Sequence, residues 1–130
     1  MSPRCIFVVD DEPAIASTLA TILRLNGYSA RFFTSPLNAL AAAHSESPDL
    51  VISDVAMPGI SGIDLAIQRR AQHPHCEVLL FSGQAGTADL LESAHACGHH
   101  FRLLQKPVHP SQFLYEIEQL NRAATVPSAT

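Results

Sequence analysis

Charge is scarce in this chain: Asp, Glu, Lys and Arg together make up 15% of its 130 residues, and aromatic residues only 6%. The formal net charge of −4 is spread without a long run of either sign. No basic patch of the kind that holds a phosphate backbone is present, which argues against direct nucleic-acid binding. No apolar stretch is long enough to span a bilayer, so no membrane contact is expected. Cysteines number three, an odd count in irregular spacing that does not suggest a disulfide framework. A reducing cytoplasm is the expected compartment. The amino terminus, Met1-Ser2-Pro3-Arg4, runs straight into an apolar segment, so no signal peptide is expected.

What the chain does have is apolar residues, 47% of the total, at a length that makes one domain with a real core. Several of them form short runs that end in chemically capable residues. Cys5-Ile6-Phe7-Val8-Val9 meets Asp10-Asp11, and Leu50-Val51-Ile52-Ser53 meets Asp54. Val78-Leu79-Leu80-Phe81 meets Ser82, and Phe101 to Gln105 meets Lys106-Pro107. If these runs are parallel strands, three carboxylates, a hydroxyl and an ammonium converge at one sheet edge, where ligands of open α/β sheets bind.

Strand-like runs alternate with segments of helical period. Pro13 suits the first position of a helix whose stripe is Ile15, Leu19, Ile22 and Leu23, stopped by Asn26-Gly27. A strand fits Ser29 to Phe33, and a helix fits Pro36 to Ala43, closed by Ser45-Glu46-Ser47-Pro48. After the loop of Pro58-Gly59 and Gly62, a third helix carries Ile63, Leu65, Ala66 and Ile67 until His73-Pro74-His75 breaks it. Thr87 can cap a helix with Leu90, Leu91 and Ala94, ended by Gly98. Pro110 opens a last helix with Phe113, Leu114, Ile117 and Leu120, and the tail beyond Arg122 carries no pattern. Five βα units with right-handed crossovers predict a doubly wound α/β domain with helices on both sheet faces. The expected domain is 1–122, and 123–130 is expected to fray.

The acidic pair Asp10-Asp11, the loop Asp54-Val55-Ala56-Met57-Pro58-Gly59-Ile60-Ser61-Gly62, Ser82 and Lys106-Pro107 occur in order, each at a strand end. In these features the chain resembles the receiver domain of two-component response regulators over about its first 120 positions. The resemblance implies a flavodoxin-like five-stranded parallel sheet in the order 2-1-3-4-5. It implies a signalling module, not an enzyme, in which Asp54 accepts a phosphoryl group from a sensor histidine kinase or phosphotransfer protein. Asp10, Asp11 and Asp54 make a hard oxygen site suited to Mg²⁺. By resemblance Asp11 and Asp54 ligate the ion directly with the backbone carbonyl of Ala56, and Asp10 acts through a water. Lys106 offsets charge as a flexible point cation, and Ser82 donates to a phosphoryl oxygen. The Lys106-Pro107 bond is cis in the family.

Gly83 leaves the site open, and Gly62 lets the loop turn into the third helix. The family's strand aromatic, three positions before the lysine, is here Leu103, while Phe101 lies two residues earlier on the same face. Ala56 and Gln84, at two positions that tune phosphoryl lifetime in the family, carry no carboxylate to orient a water. His73, His75 and Cys76, with Cys97, His99 and His100, have ligand types that suit Zn²⁺, but their spacing matches no zinc module. Two other function classes fit the sequence less well. An aspartate-nucleophile phosphatase would place a second Asp two residues after the nucleophile, where this chain has Ala56. A phosphorylation-independent scaffold has no need of three gathered carboxylates. The downstream protein target stays open, as does a homodimer through the face carrying Leu91, Arg102 and Tyr115.

Overall fold

The computed structural model describes residues 5–83, 92, 95, 96, 98, 101–106 and 109–125, the last five by backbone alone. Nine elements follow in order: β1 (Cys5–Val9), α1 (Pro13–Leu25), β2 (Ser29–Phe33), α2 (Pro36–Glu46), β3 (Leu50–Asp54), α3 (Gly62–Gln72), β4 (Glu77–Ser82), β5 (Arg102–Gln105) and α4 (Pro110–Thr125). The strands form one sheet in the order β2-β1-β3-β4-β5, with every neighbouring pair parallel. This is the doubly wound topology expected from the sequence. The predicted helix from Thr87 lies largely outside the described residues, although Glu92, His95 and Ala96 are helical. Gln84, Gly86, Cys97, His99, His100 and Pro107 lie outside them too.

The central strands are apolar on both faces because helices cover both. On one face Ile6, Val8, Ile52, Leu79 and Leu104 pack with Ala16, Ala20 and Leu23 of α1 and with Phe113, Ile117 and Leu120 of α4. On the other, Phe7 and Val51 pack with Ala39, Leu40 and Ala43 of α2 and Leu65 of α3. Val78 and Leu80 pack there with Ile63 and Ala66 of α3. The cores are thus split by the sheet, and the strand ends stay free to carry loops.

Several boundaries differ from the sequence reading. Helix α2 runs through Ser45 and Glu46 and ends where Ser47 turns left-handed, at φ 47°. A left-handed residue followed by Pro48 stops a helix more firmly than polar side chains do. Helix α4 continues to Thr125, past the expected start of the tail at Arg122. Alanine is the strongest helix former, and Ala123 and Ala124 favour the extension by propensity alone. Strand β5 begins at Arg102 and leaves Phe101 just before it.

Candidate phosphoacceptor site

Strand register decides which residues meet. Val9 pairs with Ser53, Asp54 with Phe81, and Ser82 with Gln105. The four runs therefore end level, and Asp10, Asp54, Ser82 and Lys106 fall on one edge. The backbone N–H of Asp10 donates to the Phe33 carbonyl at 3.1 Å, and the N–H of Lys106 donates to the Ser82 carbonyl at 2.8 Å. Asp10 and Lys106 are thus each tied by their own backbone to the neighbouring strand.

Asp10 is buried, Asp54 nearly so, and Asp11 faces solvent. One carboxylate oxygen from each of the three lies within 4.8 Å of the others, and among the described residues no other His, Cys, Asp or Glu grouping does this. His73, His75 and Cys76 join no such grouping. The N–H of Glu12 donates to Asp10 Oδ1 at 2.9 Å. The ammonium of Lys106 donates to Asp10 Oδ2 at 3.1 Å and stands 3.4 Å from Asp54 Oδ1. Lys106 thus bridges both acids and makes its closer contact with Asp10.

The electrostatics follow from this crowding. Burial pushes the Asp54 carboxyl above the ordinary carboxylate range, against the pull of Lys106, and the negative charges of Asp10 and Asp11 add to the rise. Burial alone would lower the Lys106 ammonium, but the hydrogen bond and charge of Asp10, with those of Asp54, hold it above its usual value. Three acids against one lysine leave a net negative, oxygen-lined pocket. That donor set suits a hard divalent cation such as Mg²⁺, which takes few protein carboxylates. Ala56 lies half-buried two residues beyond Asp54, in the same loop.

The loop after Asp54 is closed by a capping box, in which the Ser61 hydroxyl accepts from the Asp64 N–H and the Asp64 carboxylate accepts from the Ser61 N–H. Gly62 has a sharper role than easing a turn. A Cβ there would stand 2.1 Å from the Asp54 carbonyl oxygen. Gly83 is less constrained, since a Cβ would lie 3.4 Å from Lys106 Cβ, in ordinary contact. Ser82 is buried at the end of β4. Phe101 and Leu103 pack against one apolar cluster with α3, and the guanidinium of Arg70 sits 4.9 Å from the Phe101 ring centre.

The profile of the family described as the response regulator receiver domain matches residues 6–118. The chain belongs to that family. Among related proteins, the receiver resembles transcriptional regulatory protein CreB of Escherichia coli, 30% identical over 122 residues, which cover 94% of this chain and 52% of CreB. It also resembles the DNA-binding transcriptional regulator NtrC of Salmonella typhimurium, 33% identical over 102 residues, covering 78% of this chain and 21% of NtrC. The chain thus spans about half the length of CreB and less of NtrC. A CheY-like receiver domain protein from Methanospirillum hungatei superposes with a TM-score of 0.83 at 26% identity, covering 93% of this chain and 96% of that one. A receiver domain protein from Clostridium thermocellum gives 0.82 at 29% identity, with 92% and 96% covered. Among the described residues no helix is long and apolar enough to cross a membrane.

Proposed function

We propose that this receiver domain accepts a phosphoryl group on Asp54 from the phosphohistidine of a histidine kinase or phosphotransfer protein, and passes the signal on through protein contacts. The observation that carries the reading is a single one: Asp54, nearly buried, shares a 4.8 Å grouping with Asp10 and Asp11 and has an ammonium 3.4 Å from its Oδ1. A structural acid would have little use for two further carboxylates at that distance. In the transfer a carboxylate oxygen of Asp54 forms a bond to phosphorus while the phosphorus–nitrogen bond of the donor breaks. Asp54 becomes an acyl phosphate, and the imidazole nitrogen leaves with the electron pair. Burial makes the carboxylate more basic than an exposed one and so a better nucleophile.

Asp10, Asp11, Asp54 and the backbone carbonyl of Ala56 would hold Mg²⁺, which when bound offsets the charge repulsion between acid and phosphoryl group. Lys106 supplies a second positive charge, moving from the acids to the incoming phosphoryl oxygens without leaving the edge of the sheet. The hydroxyl of Ser82, at the end of the neighbouring strand, donates to the same oxygens. Phosphorylation adds about two negative charges at neutral pH, and Ser82, at the end of the strand beside Asp54, is the group expected to respond.

Intact-mass measurement after treatment with acetyl phosphate and Mg²⁺ tests the reading. One added phosphate is expected, lost in Asp54→Asn and strongly reduced when the divalent ion is chelated. Labelling of Asp54→Asn equal to that of the parent chain would reject the assignment, and an unlabelled parent chain would favour a phosphorylation-independent scaffold.

A further inference from the structure

The residue before Asp54 is a serine in a strand whose preceding residues, Leu50, Val51 and Ile52, are apolar, and Ser53 is only 1% exposed. A hydroxyl removed from water needs a partner. Ser53 Oγ donates to the backbone carbonyl of Asp54 at 3.0 Å, inside the protein. That carbonyl belongs to the first residue past the β1–β3 ladder, whose last pair is Val9 and Ser53. Gly62 closes on the same point from the loop, where a Cβ would stand 2.1 Å from the Asp54 oxygen and 3.0 Å from Ser53 Oγ. The next residue is held as well. The Val55 N–H donates to the Phe81 carbonyl at 2.9 Å, and the Gly62 N–H donates to the Val55 carbonyl at 2.9 Å. The chain leaves its strand at Asp54; the first two bonds fix the Asp54–Val55 peptide plane by which it leaves, and the third holds the peptide after it.

We propose that Ser53 is a positioning residue for phosphoryl acceptance: its hydroxyl locks the Asp54 carbonyl and so aims the Asp54 carboxylate at the pocket it shares with Asp10 and Lys106. The inference rests on the reading of Asp54 as the acceptor. A reactive carboxylate must be held to within a fraction of an ångström and a few tens of degrees of its productive geometry. Neither the side chain of Asp54 nor its contact with Lys106 can supply that, because both must rearrange when the phosphoryl group arrives. The backbone must therefore supply it, and the Ser53 hydroxyl is the side-chain donor on that carbonyl. Without it a buried carbonyl loses a donor, and the Asp54–Val55 peptide gains freedom to rotate.

The test compares the initial rate of phosphate incorporation from acetyl phosphate with Mg²⁺, read by intact mass, in the parent chain and in Ser53→Ala, Ser53→Thr and Ser53→Val. Thr and Val match in shape, and only Thr keeps the hydroxyl. Rates are measured well below each variant's melting temperature. Ser53→Thr is expected to stay close to the parent rate, while Ser53→Ala and Ser53→Val fall roughly tenfold, the scale on which small misplacements act. The fall should lie in the maximal rate, with the half-saturating donor concentration unchanged. Equal rates in Thr and Val, or a parent-like rate in Ala, would overturn the inference while leaving Asp54 as acceptor. If Thr and Val both fail to fold, the Ala variant decides by the same criterion. A parent chain that takes no label would overturn the acceptor reading, and this inference with it.

Discussion

Charge is buried at both edges of the sheet, but the two edges handle it in opposite ways. At the carboxyl edge Asp10, Asp11 and Asp54 outnumber Lys106, and burial raises the Asp54 carboxyl above its ordinary range against the pull of Lys106, with Asp10 and Asp11 adding to the rise. At the amino edge a single guanidinium, Arg69 of α3, is 1% exposed and donates through Nη2 to the Pro48 carbonyl at 3.1 Å. Its Nε and Nη1 find no hydrogen-bond partner among the described residues. Its neighbour is the buried thiol of Cys76, whose pKa is raised, mainly by burial, so that the thiol stays neutral. Arg70 of the same turn lies over Phe101. Arg69 and Arg70 thus fasten α3 to the starts of β3, β4 and β5. Buried charge alone does not mark a reactive site. What distinguishes the carboxyl edge is like charges forced together beside one cation, Lys106.

The rigidity of the carboxyl edge rests most heavily on Gly62. Gly62→Ala drives a Cβ into the backbone carbonyl of Asp54, 2.1 Å away, and is expected to cost about 3 kcal/mol in chemical denaturation. A loss under about 1 kcal/mol would mean that the loop yields, and that Asp54 is not rigidly held. Arg69 sharpens the other side. Arg69→Ala should cost about 2 kcal/mol through lost packing. Arg69→Met, which fills the space without the unpaired donors, should stay within about 1 kcal/mol of the parent. Both should be labelled by acetyl phosphate at the parent rate, and a slowed rate in Arg69→Met would give the amino edge a part in the chemistry.

The smallest effect expected is a gain in stability. Because the folded pKa of Asp54 lies above its unfolded value, folding binds a proton through that window, and stability falls as pH rises across it. Asp54→Asn escapes this loss. Without divalent ions its melting temperature should exceed the parent's at neutral pH, by a smaller margin than the Gly62 effect. The gap should close as pH falls through the acid carboxylate range. A parent chain more stable than Asp54→Asn at neutral pH would show that Lys106 outweighs burial.

The strands were legible because their apolar runs are short and bounded, and the site because each run ends in a residue of distinct chemistry. Helix ends were less so. Nothing in Ser45-Glu46-Ser47 announces that the chain turns left-handed at Ser47 and not two residues sooner, since that choice is made by the backbone ahead of Pro48. The preference of Lys106 for Asp10 depends on side-chain reach across three strands, which register alone does not set. Ser53 was visible as a polar residue closing an apolar run, yet its bond to the next carbonyl depends on the chain turning at Asp54. The buried Arg69 gave no warning, because an arginine near the end of a helix ordinarily faces water.

The most direct test of the central claim locates the bond itself. An acyl phosphate is reduced by borohydride to an alcohol, so an aspartyl phosphate leaves homoserine in its place. After treatment with acetyl phosphate and Mg²⁺ and trapping with borohydride, peptide mass mapping is expected to find homoserine at position 54 and aspartate retained at 10 and 11. Homoserine at position 10 or 11, with Asp54 unchanged, would contradict the account.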